Sequence, residues 1–216
     1  DSSITINAGN ALNVSSYPGT FSSASSSISI TTDNYTGYTA TLANPNNSTD
    51  LIHTSDNTLY IPTITLPQGS SSITSSQFTN GYGFSTNGTN YVPAPTSSSS
   101  LALGSRNTAG TSSHTLTLGV TPIASTPSGS YSKSFNIVAI ANNPQYSITF
   151  NANAGTDTVT GMPSNVAVTT TSASSVTLSN NVPSRDGYHF IGWDTDSTAT
   201  TPTYPSSTTN TIDLEP

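Results

Sequence analysis

Cysteine is absent from the 216 residues, so neither a disulfide nor a thiolate metal site can form. Cations are nearly as scarce, with Lys and Arg together numbering 3. A nucleic-acid footprint needs Lys and Arg clustered on phosphates, and docking on an anionic membrane needs a polybasic stretch; the chain has neither. Glutamate occurs once, at Glu215, and the strong helix formers are sparse as a group, which removes the material of stable helices. No apolar run approaches the length of a membrane-spanning helix. The chain opens without the basic and then apolar run of a secretory leader, as expected of a mature or trimmed form, or of a cytosolic chain.

What remains is rich in Ser, Thr and Asn, with ten Tyr, six Phe and one Trp. Only 6% of residues are charged, although the net charge is −7. Disordered chains are charge-rich and poor in aromatics; this chain is the opposite and can seed cores. Ser, Thr, Val, Ile and Tyr favour strands and turns, so an all-β protein is expected. A hydroxyl-rich surface with few Lys offers few sites to trypsin-like proteases and favours an extracellular location.

Residues 3–7 alternate apolar and polar, with Ile4 and Ile6 on one face; Leu12 to Val14 continue the pattern as a bent strand or a second one. Residues 27–31 read as a strand with Ile28 and Ile30 inward, and residues 38–42 as its partner across the turn at 33–37. Leu51 to His53 and Leu59 to Ile61 flank a turn, and Pro62 and Pro67 confine that region to an edge or loop. Residues 70–76 are polar and read as a mobile loop. Phe78, Tyr82, Phe84 and Tyr91 form an aromatic cluster broken by glycines, and residues 93–100 are a low-complexity loop. Residues 113–120 alternate. Residues 130–141 make the strongest strand, with Tyr131, Phe135, Ile137 and Ala139 at one parity after the Pro127-Ser128-Gly129 turn. This Pro-x-Gly-x-Tyr entry to an alternating strand resembles the last strand of bacterial adhesin and pilin-like β-sandwich modules. The polar segment 142–145 with its Pro marks a boundary, giving a β-sandwich over 1–143, Ig-like or pilin-like, and a smaller module over 144–216.

The second part centres on residues 181–194, NVPSRDGYHFIGWD, which hold the single Trp. Asp186-Gly187 ahead of an aromatic run is a turn feeding a strand. Strict alternation puts Tyr188 and Phe190 opposite Trp193; a bulge at Gly192 brings all three to one face. This stretch is therefore expected to be the core strand of the module, with Trp193 buried against Phe150 and Tyr188 or Phe190.

Taken with Ser147-Ile148-Thr149-Phe150-Asn151-Ala152-Asn153-Ala154-Gly155, these residues resemble one copy of the Listeria–Bacteroides repeat over 146–214. That repeat is the B-repeat module of internalin-type surface proteins, with a pattern of the form V-x-F-x-x-N-G-G and later P-x-R-x-G-Y-x-F-x-G-W. Ala154 departs from it, standing where a Gly is usual. The resemblance implies a β-grasp-like module of extracellular proteins and no catalytic residues.

Chemistry-bearing patterns are few. His53, His114 and His189 lack metal spacing and read first as ordinary strand histidines; no G-x-S-x-G elbow and no paired acids are present. Asp194 and Asp196 offer oxygens to Ca²⁺ but lack the rest of a loop pattern, so a solvated turn is the plainer reading. Lys133 shares the parity of Tyr131 and Phe135; it is either a cross-linking Lys paired with an Asn or Asp, or a strand-end Lys whose ammonium reaches water. Asn13, Asn34, Asn46, Asn47 and Asn87 head Asn-x-Ser/Thr sequons. Tyr82, Phe84, Asn87, Asn90 and Tyr91 could supply an aromatic platform and amides for a glycan, or simple core packing.

The expected function is that of a non-catalytic extracellular bacterial surface protein, an adhesin or a subunit of a surface appendage, partnered by its own copies or other surface proteins. No cofactor, metal, nucleic acid or membrane insertion is expected. The appendage reading would have Ile4 and Ile6 donated to a neighbouring subunit. A glycan-binding module of a secreted protein is the alternative.

Overall fold

The computed structural model describes residues 2–169 and 174–214. Two compact units emerge, 2–142 and 143–216. Both are all-β, and no α-helix occurs among the described residues.

The first unit contains β1 (Ile4–Asn7), β2 (Ser22–Thr32), β3 (Tyr38–Ala43), β4 (Leu51–His53), β5 (Asp56–Ile61), β6 (Gly81–Ser85), β7 (Ser100–Arg106), β8 (Gly110–Thr121), β9 (Tyr131–Ser132) and β10 (Asn136–Ala141). They form antiparallel sheets of order β1-β2-β8-β6, β10-β3-β7 and β5-β4-β9. Ile28 and Ile30 of β2, Tyr38, Ala40 and Leu42 of β3, Tyr82 and Phe84 of β6, and Leu103, Leu116 and Val120 share one buried cluster. The first two sheets thus face each other as a β-sandwich.

Several strand expectations need correction. β2 and β3 are not hairpin partners: β2 pairs with β1 and β8, whereas β3 pairs with β10 and β7. The turn between them carries the chain from one sheet to the other around Asn34, which is buried. Its backbone N–H donates to Thr32 Oγ1, and its Nδ2 donates to the carbonyls of Gly37 and Asn142. Leu12 and Val14 belong to no strand but pack against the core from the connection. Residues 130–141 are not one strand. β9 joins β4, β10 joins β3, and the chain changes sheet between them; Tyr131, Phe135, Ile137 and Ala139 all still reach the core. β7 was not legible, because Gly104 interrupts its alternation. The stretch 70–76 is tied down by reciprocal backbone bonds between Ile73 and Tyr91 and a 3-10 turn, Ser75–Gln77, with a capping box from Thr74.

A second, smaller core of Ile64, Ile73, Phe78 and Tyr91, with Phe21 and Leu66, lies at Gly119 of β8. A Cβ at Gly119 would meet Tyr91 at 2.7 Å and Phe21 at 2.8 Å, so only a bare backbone lets these rings settle there. Phe21, Phe78 and Tyr91 contact one another edge to face at 4.9–5.4 Å, the arrangement favoured by ring quadrupoles.

The second unit holds β11 (Gln145–Ile148), β12 (Val166–Thr169), β13 (Ser174–Thr177), β14 (Gly192–Trp193), β15 (Tyr204–Pro205) and β16 (Thr211–Leu214). These form three two-stranded antiparallel ladders, β11-β12, β13-β16 and β14-β15. Leu178 and Leu214 are buried beside them. Strand geometry covers only Gly192 and Trp193 of the expected 188–193 strand. The turn at Arg185–Tyr188 and the half-bonded run after it leave Tyr188 67% exposed.

Candidate functional site

The sandwich candidates resolve into structural roles. Tyr82, Phe84 and Tyr91 are 0%, 4% and 2% exposed, so their ring faces are covered by protein. This corrects the glycan platform drawn from them. Tyr82 donates its hydroxyl to the carbonyl of Thr49, and burial, aided by nearby Asp50, pushes its pKa up. Asn87 is exposed, but its Oδ1 accepts from the backbone N–H groups of Thr89 and Asn90 at 3.0 and 2.9 Å. It is the hub of a turn, and Asn90 is one of its donors.

Lys133 lies in the sheet-changing segment, with Nζ 5.7 Å from the Phe135 ring centroid. Among the described residues it makes no ion pair. The other cations are engaged. Arg106 donates to the carbonyls of Thr108, Ala109 and Thr111 and to Ser112 Oγ, closing the β7–β8 hairpin.

Ile4 and Ile6 are placed within their own domain. β1 pairs with β2 in the register Ile4 to Thr32 and Ile6 to Ile30; Ile4 packs on the core and Ile6 is 37% exposed. Asp33 fastens this strand by accepting Ser3 N–H at 2.6 Å and Ser3 Oγ–H at 2.8 Å. Those bonds hold its carboxyl below the usual value.

The histidines are dispersed. His114 Nε2 shares a 2.7 Å hydrogen bond with the hydroxyl of buried Tyr38, joining β8 to β3 across the sandwich. His53 stacks edge to face on Tyr131, and His189 is exposed. No group of three or more His, Asp or Glu side chains suited to a metal occurs among the described residues. Among the sequons, Asn34 has both amide N–H bonds occupied inside the fold.

In the second unit the P-S-R-D-G-Y run builds a turn whose parts lock together. Tyr188 N–H donates to the Arg185 carbonyl. The guanidinium lies 3.9 Å from the Tyr188 ring centroid, and its Nε reaches Asp157 Oδ2 at 3.1 Å. Such stacking combined with a charge-assisted bond suits Arg and not Lys. Ser184 and Thr160 exchange backbone bonds, so the run is tied to the loop after Phe150 twice. Asn153 turns that loop at φ 48° and donates Nδ2 to the Ser197 carbonyl.

Trp193 follows Gly192, whose φ is +148° and whose missing Cβ would lie 2.3 Å from the Tyr204 carbonyl oxygen. The local kink brings Trp193 beside Phe190 at 5.0 Å and Phe150 at 4.8 Å, the aromatic group expected without Tyr188. Trp193 is half-buried rather than enclosed. Asp194 caps the next loop, accepting Asp196 N–H at 2.8 Å and, on its other oxygen, Thr203 N–H at 2.8 Å and Oγ–H at 2.6 Å. Asp196 accepts from Thr198. Both carboxyls are held below the usual value by these bonds, and their oxygens do the work of turns.

Beside Trp193 lies a shallow, open depression. Phe190, Trp193 and Tyr204 supply its aromatic surface, Asn180, Asn181 and Asn210 its amides, and no charged side chain lines it. Asn210 is fixed, donating Nδ2 to the carbonyls of Pro205 and Thr208. Asn181 meets Ser179 Oγ only through its backbone N–H, and it and Asn180 are exposed. Sequence reasoning missed Tyr204, which a two-residue ladder with no periodic signal pairs with Trp193, and Asn180 and Asn181, which come from the irregular segment after β13.

Residues 146–214 match the family model of the Listeria-Bacteroides repeat domain, a domain found in bacterial surface proteins. No curated protein matches the chain.

Proposed function

We propose that this chain, whose residues 146–214 are a Listeria–Bacteroides repeat domain, is a non-catalytic part of a bacterial adhesin displayed outside the cell. The family match carries this reading. The sandwich is consistent with this reading, in that its buried aromatics, His53, His114 and Arg106 serve packing and turns. A low-charge, hydroxyl-rich surface with 3 basic residues suits a protease-exposed location.

Between stalk adhesin and appendage subunit, the first is favoured. β1 completes the edge of its own sheet, in register with β2 over four residues, and Asp33 holds its start. A donated strand would instead leave its own domain one strand short.

Protease shaving of intact source cells tests the location. Peptides of this chain should be released while a cytosolic marker stays inside. Chain retained until lysis would refute surface display. Beads coated with the full chain should then adhere to host cells or matrix above beads coated with an unrelated β-sandwich; equal retention would leave a stalk without adhesive activity.

A further inference from the structure

We propose that Asp186-Gly187 is a site of spontaneous aspartate isomerisation in the folded protein. The chemistry needs a free carboxyl, a free backbone N–H on the next residue, and a glycine there that lets the main chain turn. Asp186 and Gly187 are both exposed. Tyr188 N–H donates to the Arg185 carbonyl at 3.2 Å, and Gly187 has φ +75° while Asp186 stays at negative φ. These are the marks of a type II turn with the two residues at its centre. The central peptide of such a turn lies outside its hydrogen bond. Among the described residues, neither the Gly187 N–H nor the Asp186 carboxylate has a hydrogen-bond or ion-pair partner. A Cβ at Gly187 would meet nothing within 4 Å, so no neighbouring atoms obstruct rotation of this peptide.

The step balances without a co-reactant. Gly187 N bonds to Asp186 Cγ and loses its proton, and a carboxyl oxygen departs as water, closing a five-membered succinimide. Water then opens the ring. Attack at Cγ breaks the Cγ–N bond and restores aspartate. Attack at the backbone carbonyl carbon breaks the original peptide bond and leaves isoaspartate, with the main chain running through Cβ. One water leaves and one enters, so the mass is unchanged. The product has an extra main-chain carbon between Arg185 and Tyr188. That carbon pulls apart the turn that seats the guanidinium on the Tyr188 ring and on Asp157.

Asn80-Gly81 and Asn87-Gly88 have intrinsically faster chemistry of the same kind, because an amide sheds ammonia more readily than a carboxylate sheds water. The fold shields both. Asn87 Oδ1 accepts from the backbone N–H groups of Thr89 and Asn90, and the attacking N–H of Gly88 donates to Ser85 Oγ at 2.9 Å. Gly81 lies in β6, opposite Thr121 of β8. Tyr82 and Phe84 bond outward to Pro62 and Val92, so antiparallel alternation directs the Gly81 N–H to β8. Of the three pairs, only Asp186-Gly187 keeps its attacking nitrogen free.

The full-length protein is aged at mildly acid pH, one portion folded and one in guanidinium chloride. Both are digested with endoproteinase Asp-N, which cuts before aspartate and not before isoaspartate, and the peptides are separated and weighed. Cleavage before Asp186 should fall with time in both portions, and a second peak of unchanged mass should appear. The two rates should agree within about fivefold, the protection that one turn bond gives. Deamidation at Asn87, read as the mass gain from amide to acid, should be on the order of a hundredfold slower in the folded portion, since its three hydrogen bonds must open first. Asp186→Glu keeps the charge but would need a six-membered ring, so the second peak should vanish. The isomerised protein, separated by ion exchange, should unfold at a lower denaturant midpoint. Folding that slows Asp186 as strongly as Asn87 overturns the site, as does a second peak that survives in Asp186→Glu. An isomerised fraction with the wild-type midpoint overturns the effect on the Arg185 lock.

Discussion

Trp193 is the residue whose placement was most nearly legible. The Gly before it and the aromatic run ahead of it pointed to a parity shift, and the structure joins it to Phe150 and Phe190. Its half-burial was not legible, because the covering side chains come from loops without periodicity. Trp193→Ala should therefore cost about 2 kcal/mol, below the roughly 3–5 kcal/mol of a fully enclosed ring. Urea unfolding followed by far-ultraviolet circular dichroism measures it; an unchanged midpoint would show that the ring holds nothing together. Asp33 gives a pH prediction of definite sign. Its folded pKa lies below the ordinary 3.8, chiefly through the Ser3 N–H and then the Ser3 hydroxyl. The unfolded chain therefore takes up the proton first as pH falls. The stabilisation is complete well above 3.8 and is lost as pH drops through the lower folded value. Amide exchange at Ser3 and Ile4 should accelerate over that acid window in the native protein. In Asp33→Asn the acceleration should be absent and exchange fast throughout. A wild-type exchange profile that shows only the ordinary pH dependence of intrinsic amide chemistry would mean that Asp33 does not hold the strand.

At the scale of elements, composition and alternation revealed an all-β chain and most strand positions, but not which strands pair. The β2–β3 connection shows why. A short polar turn between two alternating runs reads as a hairpin, and only the burial of Asn34 among Thr32, Gly37 and Asn142 reveals a crossing between sheets. The same limit applies to β9 and β10: one continuous parity served two sheets, because the inward face stays inward while the hydrogen-bond partner changes. β1 was legible as a strand, whereas its partner was open between its own domain and a neighbour. With β1 on β2, deletion of residues 1–8 removes an edge ladder and the packing of Ile4. The truncated protein should remain folded with a lower Tm, and the intact protein should sediment as a monomer at high concentration. Concentration-dependent polymers that vanish on truncation would restore strand donation.

At the scale of the whole molecule, the boundary is set by how Asn142 is held. Its Nδ2 donates to the carbonyls of Thr36 and Arg106, and its backbone N–H to that of Gly37, so the first unit grips the chain up to this residue. Beyond it, the contacts that define the second unit come from its own residues: the Phe150–Trp193–Phe190 rings, the Arg185–Asp157 pair, the Asp194 cap, and Leu178 and Leu214 beside the β13–β16 ladder. A domain of this size buries a smaller fraction of its surface than a large one and is correspondingly marginal, with about 40 residues as the usual lower limit for folding without a metal or disulfide. Three short ladders give it little sheet cooperativity, so side-chain locks at the turns carry an unusual share. Residues 143–216 expressed alone should nevertheless fold, with dispersed amide signals and the Trp193 emission maximum of the full chain. Arg185→Lys in that fragment should weaken it by about 1 kcal/mol, since an ammonium keeps the charge on Asp157 but loses the planar stack on Tyr188. A random-coil spectrum for the wild-type fragment would mean that the module borrows its stability from the sandwich. A folded fragment indifferent to Arg185→Lys would instead move the weight from the turn to the aromatic group around Trp193.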